Sequence, residues 1–349
     1  MTRIPAPAAA SLALALAAAV GLQACRTPPP ADVIAADGVL CDITRRLAAS
    51  DLRVSCLLQP GDDPHQFRLT PQQSRELSQA QLVLINGFGL TPALAARSKP
   101  GTSQTNTVAV AELAVPNSPV LEAGPPKTAD SHDHHDEDGN GHGEENHDEE
   151  EHAHGDRDPH VWHDPTQAAA LVLLVAQQLQ QLKPAAQGPI AARAQAMTAT
   201  LQQLDDWNRR QLATIPTARP LATGHRAFAS LARAYGLQEL AVVDASSSSD
   251  NLRPQAFQAV LEQLRREQVP ILFAEQLPAG KALKRVSRLS GVPIAAAPLV
   301  ADGLAAEPDG NGNLVATLAA NTCLIVNGLG GRCDASGQQA LGQRWQAIR

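Results

Sequence analysis

The chain has 349 residues, with 28 basic and 35 acidic side chains, 11 histidines and 5 cysteines. At roughly 100–200 residues per domain this length suggests two domains or three, and a hydrophobic share of 44% excludes wholesale disorder. Aromatics at 3% leave little for stacking on bases or sugars, and a net charge of −7 argues against a general nucleic-acid binder. That charge is unevenly placed. Asp130 to Asp158 hold 13 acidic side chains against one arginine, leaving a body near +5, and the same stretch holds seven of the histidines.

From the N-terminus, Arg3 precedes an apolar run of small residues, Ala8 to Leu22, which ends at Gln23-Ala24-Cys25. One positive charge, a short apolar core and a small residue before the cut read as an export signal over residues 1–24. The Ala24-Cys25 junction resembles a bacterial lipobox, in which Cys25 would carry the lipid; an ordinary secretory cut near Ala24 is the other reading. Residues 25–31, with Pro28-Pro29-Pro30, form a stiff tether. Export makes disulfides of the remaining four cysteines. They allow three pairings, of which the local one, Cys41–Cys56 with Cys323–Cys333, closes small loops. A loop near 15 residues is worth about 3 kcal/mol in the chain-entropy account. A four-thiolate zinc site is disfavoured because no C-x-x-C pair occurs.

Beyond the tether, short apolar runs alternate with helical stretches. Strands are expected at Val33–Ala35, Val54–Leu58 and Leu82–Ile85, and helices at Val39–Ala48 and Pro71–Ala80, the second capped by Thr70 with proline at its first position. The alternation resumes at Leu221, with strand-like runs at Leu240–Val243, Ile271–Phe273 and Pro293–Ala296 between helices at Pro254–Gln268 and Pro278–Leu289. This pattern indicates α/β units with largely parallel sheets. Between the two sets, Pro189 to Ala213 has no glycine or internal proline and reads as one long helix. The expected organisation is a first α/β lobe over 32–185, a linking helix over 186–215 and a second α/β lobe over 216–349. A His- and acid-rich insertion over 117–157 has too few apolar residues to bury a core and reads as disordered.

Four histidines lie outside that insertion. His65 sits in Gly61-Asp62-Asp63-Pro64-His65-Gln66-Phe67, His160 and His163 in Asp158-Pro159-His160-Val161-Trp162-His163-Asp164-Pro165, and His225 in Thr223-Gly224-His225-Arg226-Ala227-Phe228. In α/β sheets, loops after strand C-termini face the ligand crevice. His65, His160 and His225, on three such loops, could converge there, and neutral imidazole is the commonest metal ligand.

These blocks, with Leu69-Thr70-Pro71-Gln72, Phe273-Ala274-Glu275-Gln276 and Ala301-Asp302-Gly303-Leu304 in the same order, resemble the substrate-binding component of bacterial ABC-type metal importers, in the zinc branch. The resemblance covers the chain from Ala31 onward. It implies two α/β lobes joined by a rigid long helix, with the metal in the cleft between them. By motif position it implies His65, His160 and His225 as ligands and Asp302 as the fourth, with water as the alternative at that place. His225 stands where the manganese branch has glutamate, which favours Zn²⁺ as the transported ion. His163 stands where the family often has an apolar residue, and reads as a solvated imidazole or one supporting the ligands from behind. Glu275 reads equally as a structural carboxylate near the cleft.

The implied function is capture of Zn²⁺ outside the inner membrane and delivery to a membrane permease, by a monomer that is lipid-anchored through Cys25 or free in the periplasm. His132, His134, His135, His142, His147, His152 and His154 would form an auxiliary low-affinity metal loop. Manganese or iron transport and a stand-alone periplasmic zinc buffer are the alternatives. A zinc hydrolase is disfavoured, because the chain lacks H-E-x-x-H and G-x-S-x-G. Binding is expected to weaken as pH falls through about 6.5, where free imidazole protonates.

Overall fold

The computed structural model describes residues 30–97, 106–121, 157–242, 254–306 and 312–349. The leader, Cys25 and all seven histidines of the insertion lie outside the described residues. So do most of the acidic side chains of the insertion.

The first lobe is built from β1 (Val33–Ala35), α1 (Gly38–Ala48), β2 (Val54–Cys56), α2 (Pro71–Gln79), β3 (Leu82–Ile85), β4 (Asn106–Ala109), α3 (Val110–Ala114) and α4 (Pro165–Leu182). Its four strands are parallel, in the order β2-β1-β3-β4. Both β1 and β3 are buried along their whole length. Their side chains divide by the two-residue period: Val33, Ala35, Leu82 and Leu84 enter one core, while Ile34, Val83 and Ile85 enter another on the opposite face. Two-sided burial is why these strands read as continuous apolar runs. Helix α2 starts as its sequence dictates. The Thr70 hydroxyl accepts from the Gln73 amide, the Gln73 side chain bonds back to the Thr70 backbone, and Pro71 opens the helix.

Helix α5 (Gln187–Leu212) follows, 26 residues and so about 39 Å long. Ile190, Ala194, Met197, Leu201 and Leu204 recur every three or four residues and are buried in the first lobe's core. Farther along, the buried face turns polar. Asp205 accepts from the Tyr235 hydroxyl at 2.9 Å, the Asn208 amide donates to that same hydroxyl at 3.0 Å, and the Gln211 carbonyl accepts from the Asp334 amide at 2.8 Å. These hydrogen bonds add to the apolar packing that Trp207 and Leu212 continue at that end of the helix.

The second sheet is parallel with order β6-β5-β7: β5 (Leu221–Thr223), β6 (Glu239–Ala241) and β7 (Leu272–Phe273), with α6 (Ala229–Tyr235), α7 (Pro254–Arg266) and α8 (Lys281–Ser290). The strand expected at Pro293–Ala296 is reduced to one parallel bridge, Leu272 with Ile294. Two C-terminal helices, α9 (Leu314–Gly328) and α10 (Ala335–Gln346), complete the chain. Grouped by sequence with the second lobe, they carry Leu314, Leu318, Leu341 and Trp345 into the core that holds β1 and α1. Asp42 of α1 fastens them there, accepting from the Leu314 amide at 3.0 Å and the Trp345 indole at 2.7 Å.

The insertion expected over 117–157 has ordered margins. Val120 and Arg157 form an antiparallel bridge, the Arg157 guanidinium donates to the Ser118 carbonyl at 2.7 Å, and the Asp158 amide donates to Pro119 at 2.8 Å. The two ends thus leave and rejoin the body side by side. Among the described residues no helix is long and apolar enough to cross a membrane.

Disulfides join Cys41 of α1 to Cys56 of β2, and Cys323 of α9 to Cys333, at sequence separations of 15 and 10. Replacing Cys41 and Cys56 by alanine should lower the stability of the metal-free protein by about 3 kcal/mol, read from the urea midpoint. An unchanged midpoint would contradict the closed loop.

Candidate functional site

Four segments deliver the site. His65 lies in the loop after β2, where the Asp63 carboxylate accepts from the His65 amide at 2.8 Å. Gly61 of that loop, at φ +90°, donates its amide to the Leu304 carbonyl at 3.2 Å, so the loop reaches the segment that carries Asp302. His160 precedes a 3-10 turn at Val161–His163, and Asp164 then caps α4 by accepting from the Thr166 amide at 2.8 Å, with Pro165 as the first helical residue. The Asn86 amide at the end of β3 holds the Pro159 carbonyl at 2.9 Å. His225 follows β5, and Asp302 lies in the 300–305 loop, where Val300 makes two hydrogen bonds with the Asn321 side chain of α9, at 2.9 and 2.8 Å.

The three histidines and Asp302 meet. His65, His160 and His225 direct their Nε2 atoms at a single oxygen, Asp302 Oδ1, at 3.2, 3.0 and 3.3 Å. Their ring centroids form a near-equilateral triangle with sides of 5.6, 5.7 and 6.2 Å. One ligating atom from each of the four residues lies within 4.8 Å of every other. A tetrahedral ion with bonds of about 2.0–2.1 Å requires ligand atoms about 3.3 Å apart, and the His–Asp distances already match that spacing. A cavity of about 230 Å³ adjoins the cluster, lined by Asp62, Asp63, Glu275, Gln276 and Leu283 among others.

Two carboxylates stand behind the histidines, one on the ring of His160 and one on the backbone of His225. Asp158 is fully buried. Its Oδ1 accepts from the His160 amide at 2.9 Å and lies 3.0 Å from His160 Nδ1, while its Oδ2 accepts from the amide and hydroxyl of Ser230 at 3.0 and 2.7 Å. Asp158 thereby aims His160 Nε2 into the site and ties it to the start of α6. Glu275 accepts from the Gly224 and His225 amides at 2.7 and 3.2 Å. A Cβ on residue 224 would overlap the Glu275 carboxylate, so this close approach requires glycine. Glu275 is the carboxylate the sequence left without a definite role. Asp158 carried no separate signal beyond its place in the D-P-H block.

The electrostatics follow from burial and pairing. Burial opposes the charge on Asp302, yet hydrogen bonds from His160, His225 and His65 hold its carboxyl well below the usual range. Burial likewise disfavours charge on His225, but Asp302 and Glu275 prevail and raise it to about 10. His160 is raised in the same way by Asp158 and Asp302, again against burial. His163 goes the other way: burial first, then the charge of His160, push it down to about 4. It is not solvated, being 1% exposed, and it is not among the four converging groups.

Three imidazoles and one carboxylate, brought together between two parallel-sheet lobes, define a cation-binding protein of the two-lobed kind. Residues 33–328 match the family described as zinc-uptake complex component A, periplasmic, and the chain belongs to it. It is similar to the metal ABC transporter substrate-binding lipoprotein SloC of Streptococcus mutans serotype c, at 23% identity over 315 residues, covering 89% of this chain and 95% of SloC. It is also similar to the manganese-binding lipoprotein MntA of Bacillus subtilis, at 26% identity over 256 residues, covering 73% of this chain and 74% of MntA. Its fold matches the structure of the periplasmic zinc binding protein TroA from Treponema pallidum with a TM-score of 0.68 at 24% identity, over 86% of this chain and 99% of that one. The protein is accordingly an extracytoplasmic, metal-binding component of an ABC importer, a carrier and not an enzyme, with a membrane permease as its partner.

Loss of an outer hydrogen-bond partner of a ligating histidine typically costs about 10–100-fold in metal affinity. Asp158→Asn should weaken binding by that amount in a chelator-competition titration. Wild-type affinity would contradict the role of Asp158 in aiming His160.

Proposed function

We propose that the cargo is Zn²⁺, held by His65, His160, His225 and Asp302 and handed to the permease. The observation that carries this reading is the donor set itself: three imidazole nitrogens and one carboxylate oxygen within 4.8 Å of one another, each nitrogen 3.0–3.3 Å from that oxygen. Imidazole suits zinc, whereas carboxylate, carbonyl and water suit manganese. Four protein ligands also leave no open position, which fits holding an ion and not using it for hydrolysis. Manganese is the second reading, because relatives such as MntA are named for it. Because N/O sites in general hold Zn²⁺ more tightly than Mn²⁺, uptake and not competition separates them: cells lacking the protein should lose zinc and recover on added Zn²⁺, and a loss of manganese with zinc unchanged would overturn the zinc assignment.

Binding must also expel protons. With His225 raised to about 10, its proton competes with the cation throughout the neutral range. Pairing with Asp302 and Glu275 thus moves this competition above the 6.5 of a free imidazole. Below the raised value, affinity should climb about tenfold per pH unit for each proton displaced. Chelator competition between about pH 7 and 9 measures this slope; a flat profile there would show that no ligand starts out protonated.

The remaining sequence-derived assignments extend the same reading. Cys25 would anchor the chain through lipid, and His132, His134, His135, His142, His147, His152 and His154 would collect zinc weakly beside the main site, since imidazoles among carboxylates are suitable ligands without fixed geometry.

A further inference from the structure

His163 belongs to the block that carries His160, yet it bonds across the cleft. Its ring is packed between Trp162 and Phe228, with centroids 5.6 and 4.6 Å away. Its Nε2 lies 2.9 Å from the Ala301 carbonyl. A carbonyl can only accept, so Nε2 carries the proton. Nδ1 is buried without a hydrogen-bond partner. An orphaned buried nitrogen costs free energy that an apolar side chain would not incur. Packing alone therefore does not account for a histidine here; the bond made by its other nitrogen does.

That bond lands on the peptide group joining Ala301 to Asp302. The other supports of the loop stand on either side of that peptide: before it, Val300 on the Asn321 side chain at 2.9 and 2.8 Å; after it, the Leu304 carbonyl on Gly61 and the Ala305 amide on Thr317 at 3.3 Å. We propose that His163 is a positioning residue: from the first lobe it clamps the Ala301–Asp302 peptide, holds the Asp302 carboxylate against the three imidazoles, and so sets how long the cation is retained. This inference rests on the reading of Asp302 as a ligand. His163 touches no cation itself and acts through Asp302.

The test is a double-mutant cycle on the full chain, loaded with less than one equivalent of metal. Zn²⁺ affinity and dissociation rate are measured by chelator competition, and coordination by the visible absorption of the Co²⁺ form. His163→Leu should weaken affinity about 10–100-fold, chiefly through faster dissociation, with an altered cobalt spectrum. His163→Gln, which keeps a side-chain N–H, should restore much of the loss; His163→Met, flexible and without a donor, should not, and serves if the leucine variant fails to fold. In an Asp302→Ala background His163→Leu should change nothing further. Wild-type affinity and spectrum in both donor-free variants, or an equal loss with and without Asp302, would overturn the clamp. If Asp302→Ala itself binds as wild type, the ligand reading of Asp302 fails and the clamp falls with it. If Asp302→Ala weakens binding and the His163 variants do not, the clamp alone fails.

Discussion

Three histidine nitrogens share one carboxylate oxygen in the cleft, and the rest of the structure serves to make that possible. An ionised carboxylate is costly to bury. Asp302 Oδ1 tolerates burial because His65, His160 and His225 surround it at 3.0–3.3 Å. The same contacts keep His160 and His225 protonated more readily than a free imidazole. Protons on these imidazoles would compete with a cation for the same nitrogens.

Convergence of this kind needs segments far apart in the chain to be fixed independently. Asp158 uses one oxygen for His160 and the other for Ser230 of the second lobe. Glu275 holds the backbone of Gly224 and His225, and Asn321 of α9 anchors the loop of Asp302. Helix α5 runs alongside, apolar toward the first lobe and hydrogen-bonded to Tyr235 of the second. The C-terminal helices, which pack into the core of the first lobe, bind the two halves together again.

Much of this was legible in the sequence, and the reasons are physical. Strand β3 was found at its observed limits because both of its faces are buried, and α2 because Thr70, Pro71 and Gln73 encode its start. His65 and His160 stood out through the repeated D-P-H pattern and His225 through its place after a strand; His160, expected after a strand as well, instead follows α3 and the insertion. What stayed hidden was tertiary. Strand β4 is short and polar at its start, and α9 is apolar nearly all round, so neither has a clean period. The supporting roles of Asp158 and Glu275 depend on partners 72 and 51 residues away. His163 reads as an odd residue in a familiar block until Ala301, 138 residues on, is seen beside it. Pairing of the imidazoles with Asp302, and the rise it causes in His160 and His225, is likewise invisible along the chain.

The central claim is that these four side chains form the coordination sphere of one ion. X-ray absorption at the zinc edge, on full-length protein carrying substoichiometric Zn²⁺, measures that sphere directly. Four nitrogen or oxygen neighbours at about 2.0–2.2 Å are expected, with the outer scattering of three imidazoles. A six-coordinate oxygen-rich shell, or a sphere unchanged when His65, His160 and His225 are all replaced by alanine, would contradict that claim.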